Sequence, residues 1–314
     1  MRIAIFGAGG VGGYFGGRLA QAGNDVAFIA RGEHLRAMRR DGLRVESVKG
    51  DFTVHPVRAT EDPAEVGPVD AVLVATKTWQ VAEACRAMAP LLGPDTVVVT
   101  LQNGVEAPEQ AAAVVGRERV LPGVARIFSR VGGPGLILHA GGPASITFGE
   151  WDGGPSARVE RLRDALAAAG VAVATPDDVL ADLWGKFLFV VPMGGVGALA
   201  RAPVGVLRSM PETRRLLEEA MGEILEVARA RGIRLPDDVV ARTMGFVDAQ
   251  PAEGTTSLQR DVAAGRPSEL EAWCGAVVRL GAESGVATPL HRVMYHALLP
   301  LERRARGVME FTDG

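Results

Sequence analysis

Lys49, Lys77 and Lys186 are the only lysines among 34 basic residues; every other one is arginine. The two side chains differ chemically. A guanidinium stays protonated at physiological pH and cannot give up a proton, whereas an ammonium can once burial or a neighbouring charge lowers its pKa. Lys186 stands in Leu183-Trp184-Gly185-Lys186-Phe187-Leu188-Phe189, an apolar run in which a charge is costly unless it faces a cleft. It is either a proton donor or a lysine that snorkels from a helix end to water. Lys77 follows the apolar run 71–75, and Asn103 follows the run 96–101. Both fall just past the carboxyl ends of what read as parallel strands, where doubly wound sheets bind ligands. The plainer alternatives are an exposed loop lysine and an Asn-Gly turn residue.

A second chemical signal is Gly7-Ala8-Gly9-Gly10-Val11-Gly12, which matches G-x-G-x-x-G. In a chain with 40 glycines the string alone says little. Here it follows a predicted strand, opens a predicted helix and starts a βαβ pattern, which makes it a dinucleotide fingerprint. The first glycine permits the turn, the second lets backbone N–H groups approach a pyrophosphate, and the third lets helix pack on strand. The helix N-terminus adds partial positive charge. At the end of the next strand an NAD-binding chain usually places Asp or Glu; this chain has Ala30-Arg31-Gly32. Arg31 is either an exposed loop arginine or a fork that grips a 2′-phosphate, and the second reading favours NADPH.

The elements that must position these residues alternate in the first half: strands at 2–6, 25–30, 71–75 and 96–101, with a helix at 14–22. That is the pattern of a parallel sheet covered on both faces. Between 119 and 150, short apolar runs separated by Gly132-Gly133-Pro134-Gly135 and Gly141-Gly142-Pro143 predict antiparallel strands joined by tight turns. A helix follows at 157–169. Beyond it strand signal nearly vanishes. Thr175-Pro176-Asp177-Asp178 reads as a helix start with Thr175 as cap. Ser209-Met210-Pro211-Glu212 reads as a second start of capping-box type, with apolar residues at helical spacing from Leu216 to Ala228. Further helices are expected near 256–264, 269–283 and 290–304. The break near Pro176 divides the chain into residues 1–176, a Rossmann NADP-binding domain, and 177–314, a helical substrate domain. The fold class is α/β with an all-α second domain.

Composition excludes several classes. With 47% hydrophobic residues, a net charge of -3 and a pI near 6.0, the chain has no large basic surface for nucleic acid. Residues 183–200 are apolar, but Lys186, Pro192 and four glycines interrupt them, so a buried helix is expected rather than a membrane span. There is no basic-then-apolar leader pattern at the start, and Cys85 and Cys274 read as buried, reduced thiols, so a cytoplasmic location is expected. His34, His55, His139, His291 and His296 show no metal or triad spacing and default to the surface. No metal site is expected. Apolar faces in a helical second domain suit a homodimer.

Nearly end to end, the chain resembles the ketopantoate reductase (2-dehydropantoate 2-reductase) family. The matching pieces are Gly7 to Gly12, Arg31, Lys77-Thr78-Trp79-Gln80, Gln102-Asn103-Gly104, Leu183-Trp184-Gly185-Lys186, and Ser257-Leu258-Gln259-Arg260-Asp261 continuing to Gly265-Arg266-Pro267-Ser268-Glu269. The resemblance implies a Rossmann domain followed by a helical domain like that of 6-phosphogluconate dehydrogenase, with the active site between them. It implies NADPH-dependent reduction of a 2-oxo acid, ketopantoate to pantoate or a related substrate, and a place in pantothenate biosynthesis. By the same resemblance Lys186 is the general acid, Asn103 touches nicotinamide and substrate, and Ser257 takes the substrate carboxylate. Glu269 contacts the nicotinamide ribose or the substrate, and Lys77 lies beside the cofactor. The match breaks at Val190, Gly194 and Gly254, where family members that reduce ketopantoate usually carry asparagines. Either other residues supply those contacts, or the substrate is bulkier or less hydroxylated. A non-catalytic NADPH-binding sensor and a 3-hydroxy acid dehydrogenase of the 6-phosphogluconate dehydrogenase type are the competing readings.

Overall fold

The structure, a computed structural model, describes residues 1–311. The chain divides into two compact units, Met1–Asp182 and Leu183–Gly314.

The first unit is built on β1 (Arg2–Phe6), α1 (Gly10–Gln21), β2 (Asp25–Ile29), α2 (Gly32–Asp41), β3 (Leu43–Ser47), β4 (Phe52–Val54), β5 (Arg58–Thr60), β6 (Val69–Val74), α3 (Val81–Ala87), β7 (Leu92–Thr100), α4 (Ala107–Val115), β8 (Val120–Leu121), β9 (Gly123–Gly133), β10 (Leu136–Phe148), α5 (Ala157–Ala168) and β11 (Ala172–Ala174). Six strands form a wholly parallel sheet in the order β5-β2-β1-β6-β7-β8. Alternate residues of each strand feed opposite faces. Ile3, Ile5, Phe28, Leu73 and Val99 pack with α1, α5 and the second sheet, whereas Ala4, Phe6, Ile29, Val72 and Val98 pack with α3 and α4. Burying one such Ile, Leu, Val or Phe side chain contributes roughly 1.5–3 kcal/mol, which is why these strands lack the polar alternation of one-sided sheets.

A smaller mixed sheet, β11-β10-β3-β4 with β9 on β10, covers one face. It corrects one expectation. Only Gly132-Gly133-Pro134-Gly135 makes a hairpin turn. Gly141 and Gly142 lie inside β10 at a break in its register with β9, with φ of 151° and 81°. That kink is a bulge, which a glycine pair also signals. The other strands of this sheet, β3, β4 and β11, carry no expectation from the sequence, because their short runs include charged or exposed residues.

The second unit is helical: α6 (Val179–Ala200, in this unit from Leu183 on), α7 (Val204–Ser209), α8 (Pro211–Ala230), α9 (Val239–Asp248), α10 (Ser257–Ala263), a π-helical turn at Glu271–Gly275, α11 (Ala276–Glu283) and α12 (Pro289–Ala305). Two expected starts shift. α6 begins at Val179, and the Asp178 carboxylate, not Thr175, accepts the Ala181 N–H at 2.9 Å. Ser209 closes α7 instead of capping α8, its hydroxyl donating back to the Val206 carbonyl at 3.1 Å. α7 and α9, of 6 and 10 residues, carry no expectation from the sequence. α6 is long and apolar enough to cross a membrane by length and composition, yet 61% of its most apolar window is buried within the protein. Its Gly194, Gly195 and Gly197 explain the composition: a Cβ at each would press on Trp273, Met294 and Gln259 respectively. The glycines let α10, the π-helical turn and α12 approach α6 closely.

Candidate active site

In the parallel-sheet unit the candidate residues all follow strand carboxyl ends. Gly7 follows β1, Arg31 follows β2, Lys77 follows β6 and Asn103 follows β7, and these four strands are consecutive in the sheet. Backbone bonds carry the pairing past the strands: Gly7 N–H to the Ile29 carbonyl at 3.0 Å, Ala75 N–H to Phe6 at 2.8 Å, and Leu101 N–H to Val74 at 2.9 Å. Strand order reverses between β1 and β6, the switch point at which such sheets open a crevice.

The glycines meet the demands of a dinucleotide. Gly7 has φ of 100°, and a Cβ on it would stand 2.9 Å from the Thr76 nitrogen. A Cβ at Gly12 would overlap the Gly7 carbonyl oxygen and lie 2.9 Å from Ile5. Gly9, by contrast, faces open space within 4 Å and stands as N-cap of α1, with no side chain to occupy the first-turn N–H groups. Ala8 is buried, and Gly10 packs under the Ser129 backbone. Beside this turn, the Thr76 and Ser129 hydroxyls are buried without a hydrogen-bond partner, and such orphans are what a bound group satisfies. Residues and group therefore fit.

Arg31 is exposed and forms the N-cap of α2, before Gly32 at φ of 63°. Lys77 is exposed, its Nζ 5.7 Å from the Trp79 ring centre. Asn103 is half-buried before Gly104, whose φ is 115°. Gln102, to which the sequence assigned no task, is buried and donates to the Val74 and Thr76 carbonyls at 2.9 and 3.2 Å. It ties the loop after β7 to the loop after β6, and so sets where Asn103 and Lys77 begin.

In the helical unit Lys186 is half-buried in the second turn of α6. Ser257 is the first residue of α10 and half-buried. A capping box joins Thr256 and Gln259, so the capping task that Ser257 could have filled belongs to Thr256. Glu269 is 6% exposed and lies ahead of the π-helical turn, not within a helix; its carbonyl accepts the Trp273 N–H at 3.0 Å. A π-type turn widens a helix locally and is frequent at functional sites. Here it delivers Trp273 onto Gly194: a Cβ at 194 would stand 2.7 and 2.9 Å from ring atoms, and 3.5 Å from Leu258. The elements bearing Lys186, Ser257 and Glu269 thus meet around Gly194. Trp273 is 1% exposed and its indole N–H makes no hydrogen bond. The only signal for it in the sequence is its rarity, one of four tryptophans.

Other reactive groups are held inert. Burial pushes the Cys274 thiol up to about 12 and the Cys85 thiol up to about 11, so neither is a thiolate at neutral pH. Two histidines are buried, contrary to the surface default. His139 is 3% exposed between Ser47 and the Gly141 carbonyl, and burial lowers its pKa; His291 is fully buried against Glu223 at 2.6 Å. Both His139 nitrogens have partners, and His291 is held through Nδ1 by Glu223 while its Nε2 makes no hydrogen bond. Among the described residues no group of His, Cys, Asp and Glu is arranged to hold a metal ion.

The model of the family described as "Ketopantoate reductase PanE/ApbA" matches residues 3–153, and that described as "Ketopantoate reductase PanE/ApbA C terminal" matches residues 178–302. The chain is 34% identical to 2-dehydropantoate 2-reductase of Mesorhizobium japonicum, over 97% of each chain. It superposes on a PanE/ApbA family ketopantoate reductase from Ralstonia eutropha with a TM-score of 0.90 and 33% identity, covering 98% of this chain and 100% of the other. A 2-dehydropantoate 2-reductase from Geobacter metallireducens gives 0.88 and 35%, covering 95% and 99%. The chain belongs to the ketopantoate reductase family, and with that membership it is an oxidoreductase acting on a CH–OH group with NADP(H) as cofactor.

Proposed function

We propose that this enzyme reduces a 2-oxo acid to the 2-hydroxy acid with Lys186 as the proton donor, and that its substrate carries fewer hydroxyl groups than ketopantoate. NADPH, when bound, supplies the hydride. The glycine loop from Gly7 to Gly12 would hold the pyrophosphate through backbone N–H groups, and Arg31 would pair with the 2′-phosphate. Lys77 lies along the cofactor, and Asn103 orients nicotinamide and substrate. Ser257 takes the substrate carboxylate, and Glu269 accepts a hydrogen bond from the nicotinamide ribose or the substrate. As hydride reaches the 2-oxo carbon, negative charge grows on the carbonyl oxygen; the Lys186 ammonium stabilises it and delivers the proton.

What carries the substrate reading is Trp273 against Gly194. An asparagine amide at 194 has no space while the indole stands 2.7 Å from the Cβ position. Val190, one turn after Lys186, is likewise apolar. A site that lacks amides to pair with a substrate hydroxyl must desolvate that hydroxyl without compensation, which weakens its transition-state binding. Two free, buried thiols suit a reducing compartment and support a cytoplasmic location. The test follows NADPH absorbance with pyruvate, 2-oxoisovalerate, 2-oxo-4-methylpentanoate and ketopantoate. The expected result is a higher kcat/KM for the branched aliphatic acids; a strong preference for ketopantoate contradicts the substrate reading, and no turnover of any 2-oxo acid contradicts the reaction.

A further inference from the structure

Glu302, on α12, is a buried carboxylate with 5% exposure that no step of the reaction uses. It accepts the Ser268 hydroxyl at 2.5 Å and the Ser268 N–H at 3.0 and 3.2 Å. Arg306, one turn further along the helix and its C-terminal boundary residue, donates to Glu302 at 2.6 Å and to the Ser268 carbonyl at 3.1 Å. The Ser268 hydroxyl also accepts the Leu270 N–H at 3.3 Å. Every polar group of Ser268, a fully buried residue, is therefore tied down, most of them by one ion pair. Ser268 precedes Glu269. The carbonyl that Arg306 holds belongs to the Ser268–Glu269 peptide, so the orientation of that plane, and with it the direction in which Glu269 leaves the backbone, is set from α12.

Such a clamp is more than a loop needs merely to stay folded. Pro267 already fixes its own φ and restricts Arg266 before it, and Arg266 is separately bound to Asp261 at 2.9 Å. Hydrogen bonds to an ionised acceptor are short and directional, and a carboxylate taken out of water is retained only with full compensation, which Ser268 and Arg306 provide. The cost of burying it is concentrated on one peptide, next to the buried acid that the proposed reaction requires.

We propose that the Glu302–Arg306 pair is a positioning device that fixes the Ser268–Glu269 peptide and so aims the Glu269 carboxylate. The inference rests on the reading that Glu269 contacts the nicotinamide ribose or the substrate. Glu302→Gln keeps an acceptor for Ser268 but loses the charge that holds Arg306. In the full-length enzyme with NADPH and 2-oxoisovalerate, Glu302→Gln is expected to lower kcat/KM about 10- to 30-fold, on the scale of a lost charge-assisted hydrogen bond. In a Glu269→Gln background the same change is expected to cost less than about 2-fold, because the residue it aims is already disabled. Melting temperature and the NADPH Kd, from fluorescence titration, are read on all four proteins. Equal losses in both backgrounds, or a lower melting temperature with kcat/KM intact, overturn the proposal while leaving Glu269 in place. An unaffected Glu269→Gln enzyme removes Glu269 from the reaction and the proposal with it. Ser268→Ala, which deletes only the hydroxyl, repeats the cycle if Glu302→Gln fails to fold; the same non-additivity with Glu269→Gln is expected, and additive losses overturn the proposal.

Discussion

The parallel-sheet unit and the helical unit prepare their parts of the chemistry by different means. In the first, the proposed binding feature is backbone: a turn at Gly7 with positive φ, a helix start at Gly9 open to its surroundings, and close packing at Gly12. In the second, it is side chains, Lys186, Ser257 and Glu269, carried by elements whose approach depends on what fills the space around Gly194. A backbone site of this kind depends on what stands against its glycines, and at Gly7 and Gly12 it has no room for a Cβ. A side-chain site can be re-tuned by one bulky neighbour without altering the residues that act, and Trp273 is the proposed case here.

Among changes that test packing and cofactor grip, the largest effect is expected at the backbone site. Gly12→Ala places a methyl group on the Gly7 carbonyl and against Ile5 and Ala75, which cannot move apart without opening the sheet. A loss of about 3 kcal/mol in stability is expected, with a rise of roughly 100-fold in the NADPH Kd, about 2.7 kcal/mol. Thermal melting and fluorescence titration check it; an unchanged Kd would mean the loop does not hold the pyrophosphate. Arg31→Ala is expected to reduce the NADPH-over-NADH preference about 10- to 100-fold, the scale of a charge-assisted hydrogen bond of about 1.5–3 kcal/mol. A preference ratio that stays constant across the two kcat/KM values would return Arg31 to an ordinary loop residue.

Around Gly194 the effects are expected to be smaller and coupled. Gly194→Asn forces an amide into the Trp273 ring and should cost about 1–2 kcal/mol. Trp273→Leu in the same chain should recover part of it and raise kcat/KM for ketopantoate, and a strictly additive pair would show that the two residues do not compete for one space. The smallest effect is a control. Gly222 lies in α8 with no atom within 4 Å of its Cβ position, so Gly222→Ala should stabilise the helix by about 0.5–1 kcal/mol with kinetics unchanged.

The same contrast explains what the sequence reveals. The glycine loop, the strands around it and Arg31 are legible because each is a local pattern: an apolar run, a turn glycine and a helix start within a few residues. The long amphipathic α8 and the helix expected near 256–264 are legible for the same reason. Trp273 on Gly194 and Glu302 on Ser268 are not, because they join residues remote in sequence and no period or spacing announces such a contact. Gly141 and Gly142 mislead because a glycine pair marks a bulge as readily as a turn. Lys186 falls between the cases: its rarity and apolar setting single it out, while its task depends on elements that only folding assembles.

The central claim is that Lys186 donates the proton, and Lys186→Arg tests it most directly. Arginine preserves the positive charge but cannot release a proton near neutral pH. With NADPH and 2-oxoisovalerate at pH 7, the expected result is a kcat lower by about 10²- to 10⁴-fold, the range of a lost general acid, with the NADPH Kd within about 3-fold of the unmodified enzyme. A Lys186→Arg enzyme that turns over at the original rate contradicts the assignment.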